Sequence, residues 1–454
     1  MTTTTDASTG TVEVRMYNVG FGDAFRITVR RGEETWRMLV DCGVHSHGAA
    51  RPLKDSVKNI IDDLKEDCGG TAHLDVLVAT HHHRDHIRGF AEDDWAEVAV
   101  DEVWVPFVED ESDEVAKQLR SAQTATALKL AAVIGERQNK LAANSKAMQM
   151  LSVAKAMAHN SSGNAKATDR LLGRNITFAK PKHEVRYLPD TDESKNAIRF
   201  DKCGVVAHIL GPPRDTTMLK RMEPPKNAGW LTLNLDDVVD AQADDDEDEQ
   251  DTIATNGKEP KATEKDKPQK EWPLFNKDFV LADLTQVPPE LVEAKRRLKL
   301  RALTNDMGLL AAASTLEQSV NNTSLFFVLD IGGVRLLFPG DAQYGAWESV
   351  RNDPKSLDMI SNVDFYKVGH HGSHNATPMS FIEKQWKKPC GDTMVPWGLV
   401  ELWKDSIPYP ELIGALTAKH LRVIKPNKDT VGENPGSELI ETEWWSQLTY
   451  KVTE

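Results

Sequence analysis

The sequence predicts a mixed α/β fold. Short β-branched and apolar runs recur along the chain, helical periodicities fall between several of them, and polar clusters stand where runs end. Residues 1–10 read as a frayed tail. From Thr11 the pattern is strand-like: VEVRMYNVG, then AFRITVR, a Gly32-Glu33 turn, and WRMLVDCG. Residues 52–65 place Leu53, Val57, Ile60, Ile61 and Leu64 at helical spacing. Residues 74–80 are short and nearly all apolar, as a strand covered on both faces requires, and 98–105 form a further strand.

Residues 111–175 change character. They are rich in Ala, Lys, Gln, Met and Leu, which predicts a helical insertion built on Val115, Leu119, Ala122, Leu130 and Ile134. Strand character returns at 175–178, 183–188 and 205–210, where Gly211-Pro212-Pro213 ends it. Residues 236–272 are acidic and then mixed Lys/Glu/Pro/Thr, the composition of a disordered insertion. Helical pattern resumes through about residue 316, including a basic stretch at 290–303 that reads as an ordinary amphipathic helix, with a basic surface covered by the acidic run as the alternative. Two strands, 324–330 and 334–338, meet at Ile331-Gly332-Gly333, and another covers 365–368.

The 454 residues carry a net charge of −15, and ten of those negative charges lie in 236–251, which leaves −5 for the rest. A polyanionic substrate is therefore still compatible, given a local basic groove. No apolar run is long enough to span a bilayer, no secretory signal opens the chain, and four scattered cysteines exclude a disulfide scaffold or zinc ribbon. The cytoplasm is the expected compartment.

Chemistry concentrates at Thr80-His81-His82-His83-Arg84-Asp85-His86, directly after the buried strand 74–80. Imidazole and carboxylate suit zinc-like divalent ions. In an extended loop His81 and His83 face one way and can chelate one ion, while Asp85 and His86 can chelate a second. Two further clusters end strands: Pro339-Gly340-Asp341-Ala342 and Gly369-His370-His371-Gly372-Ser373-His374. Cys42 reads as a small buried residue, His45 and His47 as surface or rim histidines, and Trp397, Trp403, Trp444 and Trp445 as packing residues. For Lys367 a phosphate contact and a plain strand edge stand equal.

These blocks resemble the metallo-β-lactamase fold hydrolases, through HxHxDH at His81, His83, Asp85 and His86, the upstream Asp41-x-Gly43, the aspartate of Gly340-Asp341 and the late histidine. The segments LLFPGDAQ, KVGHHGSHNATP, VAHILGPPRD and NNTSL look most similar to the C-terminal hydrolase domain of ComEC-type competence proteins. The resemblance implies an αββα sandwich over 11–454, with 111–175 and 236–272 as insertions. It implies two divalent metal ions, zinc or alternatively manganese. His81 and His83 would hold the first, Asp85, His86 and His371 the second, and Asp341 both. Asp41 would orient the ligand loop through hydrogen bonds.

Two departures stand out. The family's third histidine on the first ion is replaced by Asn321-Asn322-Thr323-Ser324, so Asn321 is a candidate beside that site and His208 a conceivable substitute, though a core role suits His208 better. A late Gly-His-Pro segment is replaced by Ser406-Ile407-Pro408. The resemblance implies hydrolysis by a metal-bridging hydroxide, with Asp85, His370, Ser373 and His374 as catalytic candidates. A phosphodiesterase or nuclease acting on nucleic acid or a nucleotide is expected first. Alternatives are hydrolysis of lactones, thioesters or lactams, and a non-catalytic metal-binding protein that docks a protein partner through 111–175 or 236–272. No membrane association is expected.

Overall fold

The computed structural model describes residues 10–45, 48–143, 145–179, 182–223, 306–398, 400 and 407–452. The chain divides into two units, Met1–Trp230 with Lys299–Glu454, and Leu231–Leu298. The second lies wholly outside the described residues, as do the acidic run 236–272, the basic stretch 290–303, His47, Trp403 and Ser406.

The first unit is mixed α/β, built on two eight-stranded sheets. The first sheet takes β1 (Gly10–Tyr17), β2 (Phe25–Arg31), β3 (Glu34–Val40), β4 (His73–Val78), β5 (Ala99–Pro106) and β6 (Glu184–Leu188) in that order. β16 (Trp445–Val452) pairs with β1, and β15 (Ser437–Glu441) with β16. The second sheet runs from β7 (Ala197–Phe200) through β8 (Val205–Gly211), β9 (Phe326–Ile331), β10 (Val334–Phe338), β11 (Phe365–Lys367), β12 (Asp392–Met394) and β13 (Arg422–Lys425) to β14 (Asp429–Val431). In each sheet antiparallel hairpins lead into parallel strands: β3 through β6 in the first, β10 through β13 in the second.

Period-two alternation sorts the side chains. Trp36, Met38 and Val40 of β3 enter the core between the sheets, while Leu39 faces the other way. Val12, Val14 and Ile27 join that inner core with Phe327, Leu329 and Leu336 of the second sheet. Phe25 and Phe338 meet across it edge to face, with ring centroids 5.8 Å apart. Helices cover the outer faces. α1 (Leu53–Asp67) lays Val57, Ile60, Ile61 and Leu64 on the first sheet, as its spacing requires. After α2 (Arg84–Ile87) the insertion begins with α3 (Glu114–Gln138), α4 (Lys146–Ser161) and α5 (Ala165–Leu171). Following α6 (Thr216–Leu219), helix α7 (Asp306–Asn321) packs against α3 and α4 to form a three-helix cap with its own core of Leu130, Ile134, Leu151, Ala154, Leu309 and Leu316. α8 (Tyr344–Asn352), α9 (Pro354–Ser361) and α10 (Pro410–Ala418) cover the second sheet with Trp347, Ile360 and Leu412.

Three expectations are corrected. Residues 175–178 form no strand; Phe178 leaves the sheet pattern to pack edge-on against Trp95 at 6.2 Å. Val115 is 44% exposed rather than part of the insertion core, because the first turn of α3 buries its next residue, Ala116, against Phe107, Val108 and Leu219 instead. His45 is buried rather than on the surface, held edge-on against Phe21. No helix among the described residues is long and apolar enough to cross a membrane.

Candidate metal centre

All four loops that carry the candidate ligands leave the carboxyl ends of strands, where α/β sheets place their sites. Asp41 follows β3, His81–His86 follow β4, Asp341 follows β10, and His370 and His371 follow β11. The two sheets are joined here, since Leu325 N donates to Thr80 O at 2.8 Å. Close backbone approach explains two glycines. A Cβ on Gly43 would lie 2.4 Å from the carbonyl carbon of Asp85, and one on Gly340 2.6 Å from Ser324 Cβ, with Gly340 at φ +59°. Asp41, His370 and His371 take left-handed backbone, φ 58°, 46° and 53°, which costs about 1–3 kcal/mol per residue and persists where surrounding contacts fix it.

The histidines are held by their outer nitrogens. His86 Nδ1 donates to Asp41 Oδ2 at 2.8 Å, and His371 Nδ1 donates to the Pro396 carbonyl at 2.8 Å. Asp41 also accepts from Thr80 N and Thr80 Oγ1, both at 2.7 Å. The Thr80 oxygen is thereby left to accept from His81 Nδ1 at 3.1 Å. His83 Nε2 reaches Ser161 Oγ of α4 at 3.3 Å. With those nitrogens engaged, the remaining ones converge. His81 Nε2 and His83 Nδ1 are 3.0 Å apart, His86 Nε2 is 3.1 Å from Asp341 Oδ2, and His371 Nε2 is 3.5 Å from Asp85 Oδ2. This is the outer-partner arrangement that orients metal-binding imidazoles.

The electrostatics match. Burial, then the charges of His86 and His83, hold His81 well below its usual range, and burial pushes His83 down to about 3. Both rings are neutral at pH 7 and keep a lone pair. His86 moves the other way: burial opposes its charge, but Asp341, Asp23 and Asp41 raise it well above normal. Burial also works against the charge of Asp85 and Asp341. The His371 hydrogen bond with the His86 and His83 charges outweighs it at Asp85, and Lys367 with His86 does so at Asp341, so both acids are held well below the carboxylate range.

Among the described residues three triads have ligand atoms within 4.8 Å of one another: His81–His86–Asp341 and Asp23–His86–His371 in this cluster, and the partly exposed His73–Asp75–Asp101 on β4 and β5, outside it. The first uses the converging nitrogens. In the second the nitrogens nearest Asp23 are Nδ1 of His86 and of His371, each 3.7 Å away and each already donating elsewhere. Asp23 instead accepts from Lys367 Nζ at 2.5 Å, and that ammonium also reaches Asp341 Oδ1 at 3.0 Å. His371 Nε2 is buried, and the group it faces is the Asp85 carboxylate, 3.5 Å away at the limit of a hydrogen bond. An inward nitrogen so loosely met, amid acids and neutral imidazoles, fits a metal ion, and this buried His/Asp cluster can hold one.

The sequence candidates fall as follows. His81, His83, Asp85, His86, Asp341 and His371 come together, with Asp41 behind them. Asn321, fully buried, places Nδ2 3.5 Å from His370 Nε2, and His370 N donates to Asp341 Oδ1 at 2.8 Å. Ser373 donates to Asn375 Oδ1 at 3.1 Å, and His374 lies edge-on to Tyr409 at 6.1 Å, so neither is held by the cluster. His208 sits on β8 opposite Ala197 and Val328, outside the cluster. Lys367 meets neither expectation, being buried between two aspartates. Cys42 is fully buried, its thiol pushed up by burial and by Asp41.

Several contacts had no motif to announce them. Asn160 of α4 clamps Asp85, donating from Nδ2 to Oδ1 at 3.0 Å and accepting from Asp85 N at 3.2 Å. Ser324 joins His81 Nδ1 at 3.2 Å to Asp341 N at 3.1 Å. His82 turns away to Glu109, 3.2 Å, which Arg120 also pairs. The one legible hint was composition: Asn160-Ser161 close an otherwise Ala/Met/Lys helix. The chain matches no protein-family model, and no curated protein is found similar to it.

Proposed function

We propose that the chain is a metal-dependent hydrolase of the metallo-β-lactamase fold that cleaves phosphodiesters in nucleic acid or a nucleotide, with two divalent ions, zinc or manganese, in the cluster. The observation that carries this reading is the convergence of four imidazole nitrogens with Asp85 and Asp341, each ring held from behind by an oxygen. Such a set is costly to bury without a cation. The layered sheets and the ligand loops at their carboxyl ends accord with the fold, and the His-His-Gly-Ser segment 370–373 favours phosphodiester over acyl substrates.

When bound, paired ions supply an acidified water and take up charge on the phosphoryl oxygens. His81 and His83 would hold one ion, Asp85, His86 and His371 the other, and Asp341 both. The chain's own residues set the geometry. Asp41 and Pro396 O fix two rings, and Lys367 with His370 N occupies Asp341 Oδ1, leaving Oδ2 turned to His86. His370, pushed down to about 4 by burial, is a neutral ring at pH 7. Its buried Nδ1 makes no hydrogen bond among the described residues, which leaves it to meet a substrate oxygen. Ser373 and His374 follow His370 on the same loop.

The test is cleavage of single-stranded DNA, RNA and bis-p-nitrophenyl phosphate with added Zn2+ or Mn2+. Turnover should vanish on Asp85→Ala with His86→Ala. Undiminished turnover in that double variant refutes the proposal, and turnover only of nitrocefin, thioesters or lactones would assign acyl hydrolysis instead.

A further inference from the structure

His82 lies between two histidines that turn inward, and its own ring leaves the loop on the other side. That ring is 3% exposed, and its Nδ1 stands 3.2 Å from Glu109 Oε1. Glu109, 8% exposed, closes the turn Phe107–Glu109 that follows β5, and the same oxygen pairs with Arg120 Nη1 of α3. Burial opposes the charge of Glu109, but Arg120 and the His82 hydrogen bond outweigh it and hold the carboxyl below its ordinary range. A carboxylate only accepts, so His82 Nδ1 donates. The chain Arg120–Glu109–His82 therefore runs unbroken from the first helix of the insertion to the metal loop.

The end of α4 closes on the same residue. Gly163, at φ +70° just past that helix, leaves little room for a side chain. A Cβ there would lie 3.2 Å from His82 O, 3.5 Å from His82 Cδ2 and 3.9 Å from Arg120 Nη2. Shortly before it, Ser161 and Asn160 take His83 and Asp85. His82, His83 and Asp85 are thus gripped by the insertion, whereas His81 and His86 are held by Thr80, Ser324 and Asp41 at strand ends. Of these grips, the one on His82 touches no candidate ligand and acts only on the backbone between His81 and His83.

We propose that Glu109 and Arg120 are positioning residues of the metal centre, acting through His82 to fix the backbone that presents His81 and His83, so that docking of α3 and ion binding are linked. This rests on reading the cluster as a divalent-metal centre. Linkage is reciprocal: whatever factor of affinity is lost when α3 releases the loop, a bound ion disfavours that release by the same factor.

The test uses full-length protein stripped of metal. Zn2+ affinity is read by competition with a chromophoric chelator, ligand geometry by Co2+ visible absorption, and opening of α3 by hydrogen exchange of its amides. Arg120→Met should bind the ion at His81 and His83 about tenfold more weakly, the lower end of what supporting residues cost, with an altered Co2+ spectrum. Arg120→Lys, which keeps the cation, should recover most of both. In wild type, saturating Zn2+ should slow exchange in the first turns of α3 by about the same tenfold, and in Arg120→Met by less. An Arg120→Met protein that melts lower but retains wild-type Zn2+ affinity and Co2+ spectrum would show a merely structural ion pair and overturn the proposal. If that variant does not fold, wild-type exchange decides, and α3 rates unchanged by Zn2+ overturn it. A wild type that takes up neither metal sinks the metal-centre reading itself, a result distinct from failure at Arg120.

Discussion

Lys367 stands between Asp23 and Asp341 in the centre, with its side chain 2% exposed. Removing a buried cation leaves its acids uncompensated, so Lys367→Met should lower the unfolding free energy of the metal-free protein by about 3–5 kcal/mol in urea titration. Asp23→Asn in the same background should recover part of the loss; a strictly additive pair would mean the ion pair is not coupled. Asp23 was not legible as part of a site, and Lys367 was legible only as a possible phosphate contact, not as the partner of two buried acids. Asp23 is one acid between Gly22 and Ala24, and Lys367 is one cation ending an apolar strand, and only the three-dimensional fold brings them together. The histidines were legible because four imidazoles in six residues have no folding rationale. Asp41 was legible through Asp-x-Gly, whose glycine admits the Asp85 backbone.

Helices that look like additions prove to support the centre. The periodicity of 111–175 predicted helices, but not that the last turn of α4 would carry Asn160 and Ser161 to Asp85 and His83, nor that α7 would complete the bundle from beyond the acidic segment. Those contacts depend on how helices dock, which local pattern does not encode. Asn160→Ala should therefore weaken metal binding by about 10–100-fold while the fold persists, measured by chelator competition. Leu130→Ala, at the core of the cap, should cost about 2–5 kcal/mol if the cap unfolds with the sheets; a separate early transition would mark it as independent. On the opposite side, arginines of the first sheet pin α1. Asp67 pairs with Arg37 and Arg30, with Arg26 at 3.8 Å. Partial burial pushes Asp67 up, but Arg26 and the Arg37 hydrogen bond win and hold it below its ordinary 3.8. A depressed folded value means these contacts stabilise fully above about pH 4 and are lost as pH falls through that value. Asp67→Asn should be less stable at neutral pH and flatten the acid limb of the stability curve; an unchanged limb would contradict the assignment.

Across the whole molecule the centre spans both sheets, with β3 and β4 supplying one side and β10 and β11 the other. Sequence order hid this, since Asp341 and His371 lie far from His81, although the alternation of strands and helices had implied an α/β layout with polar clusters at strand ends. A ligand bound by the folded state alone stabilises it, by about 2.7 kcal/mol at a hundredfold excess over Kd. Zn2+ should accordingly raise the melting temperature of the stripped protein and EDTA should reverse it, with no gain in the Asp85→Ala, His86→Ala double variant. The most direct measurement is the metal content of the full chain, purified without added metal or chelator, by elemental mass spectrometry. Two divalent equivalents per chain, lost in the double variant, are expected. A wild-type chain that carries none and takes none up on addition, or a double variant that keeps both, would contradict a metal centre at this cluster.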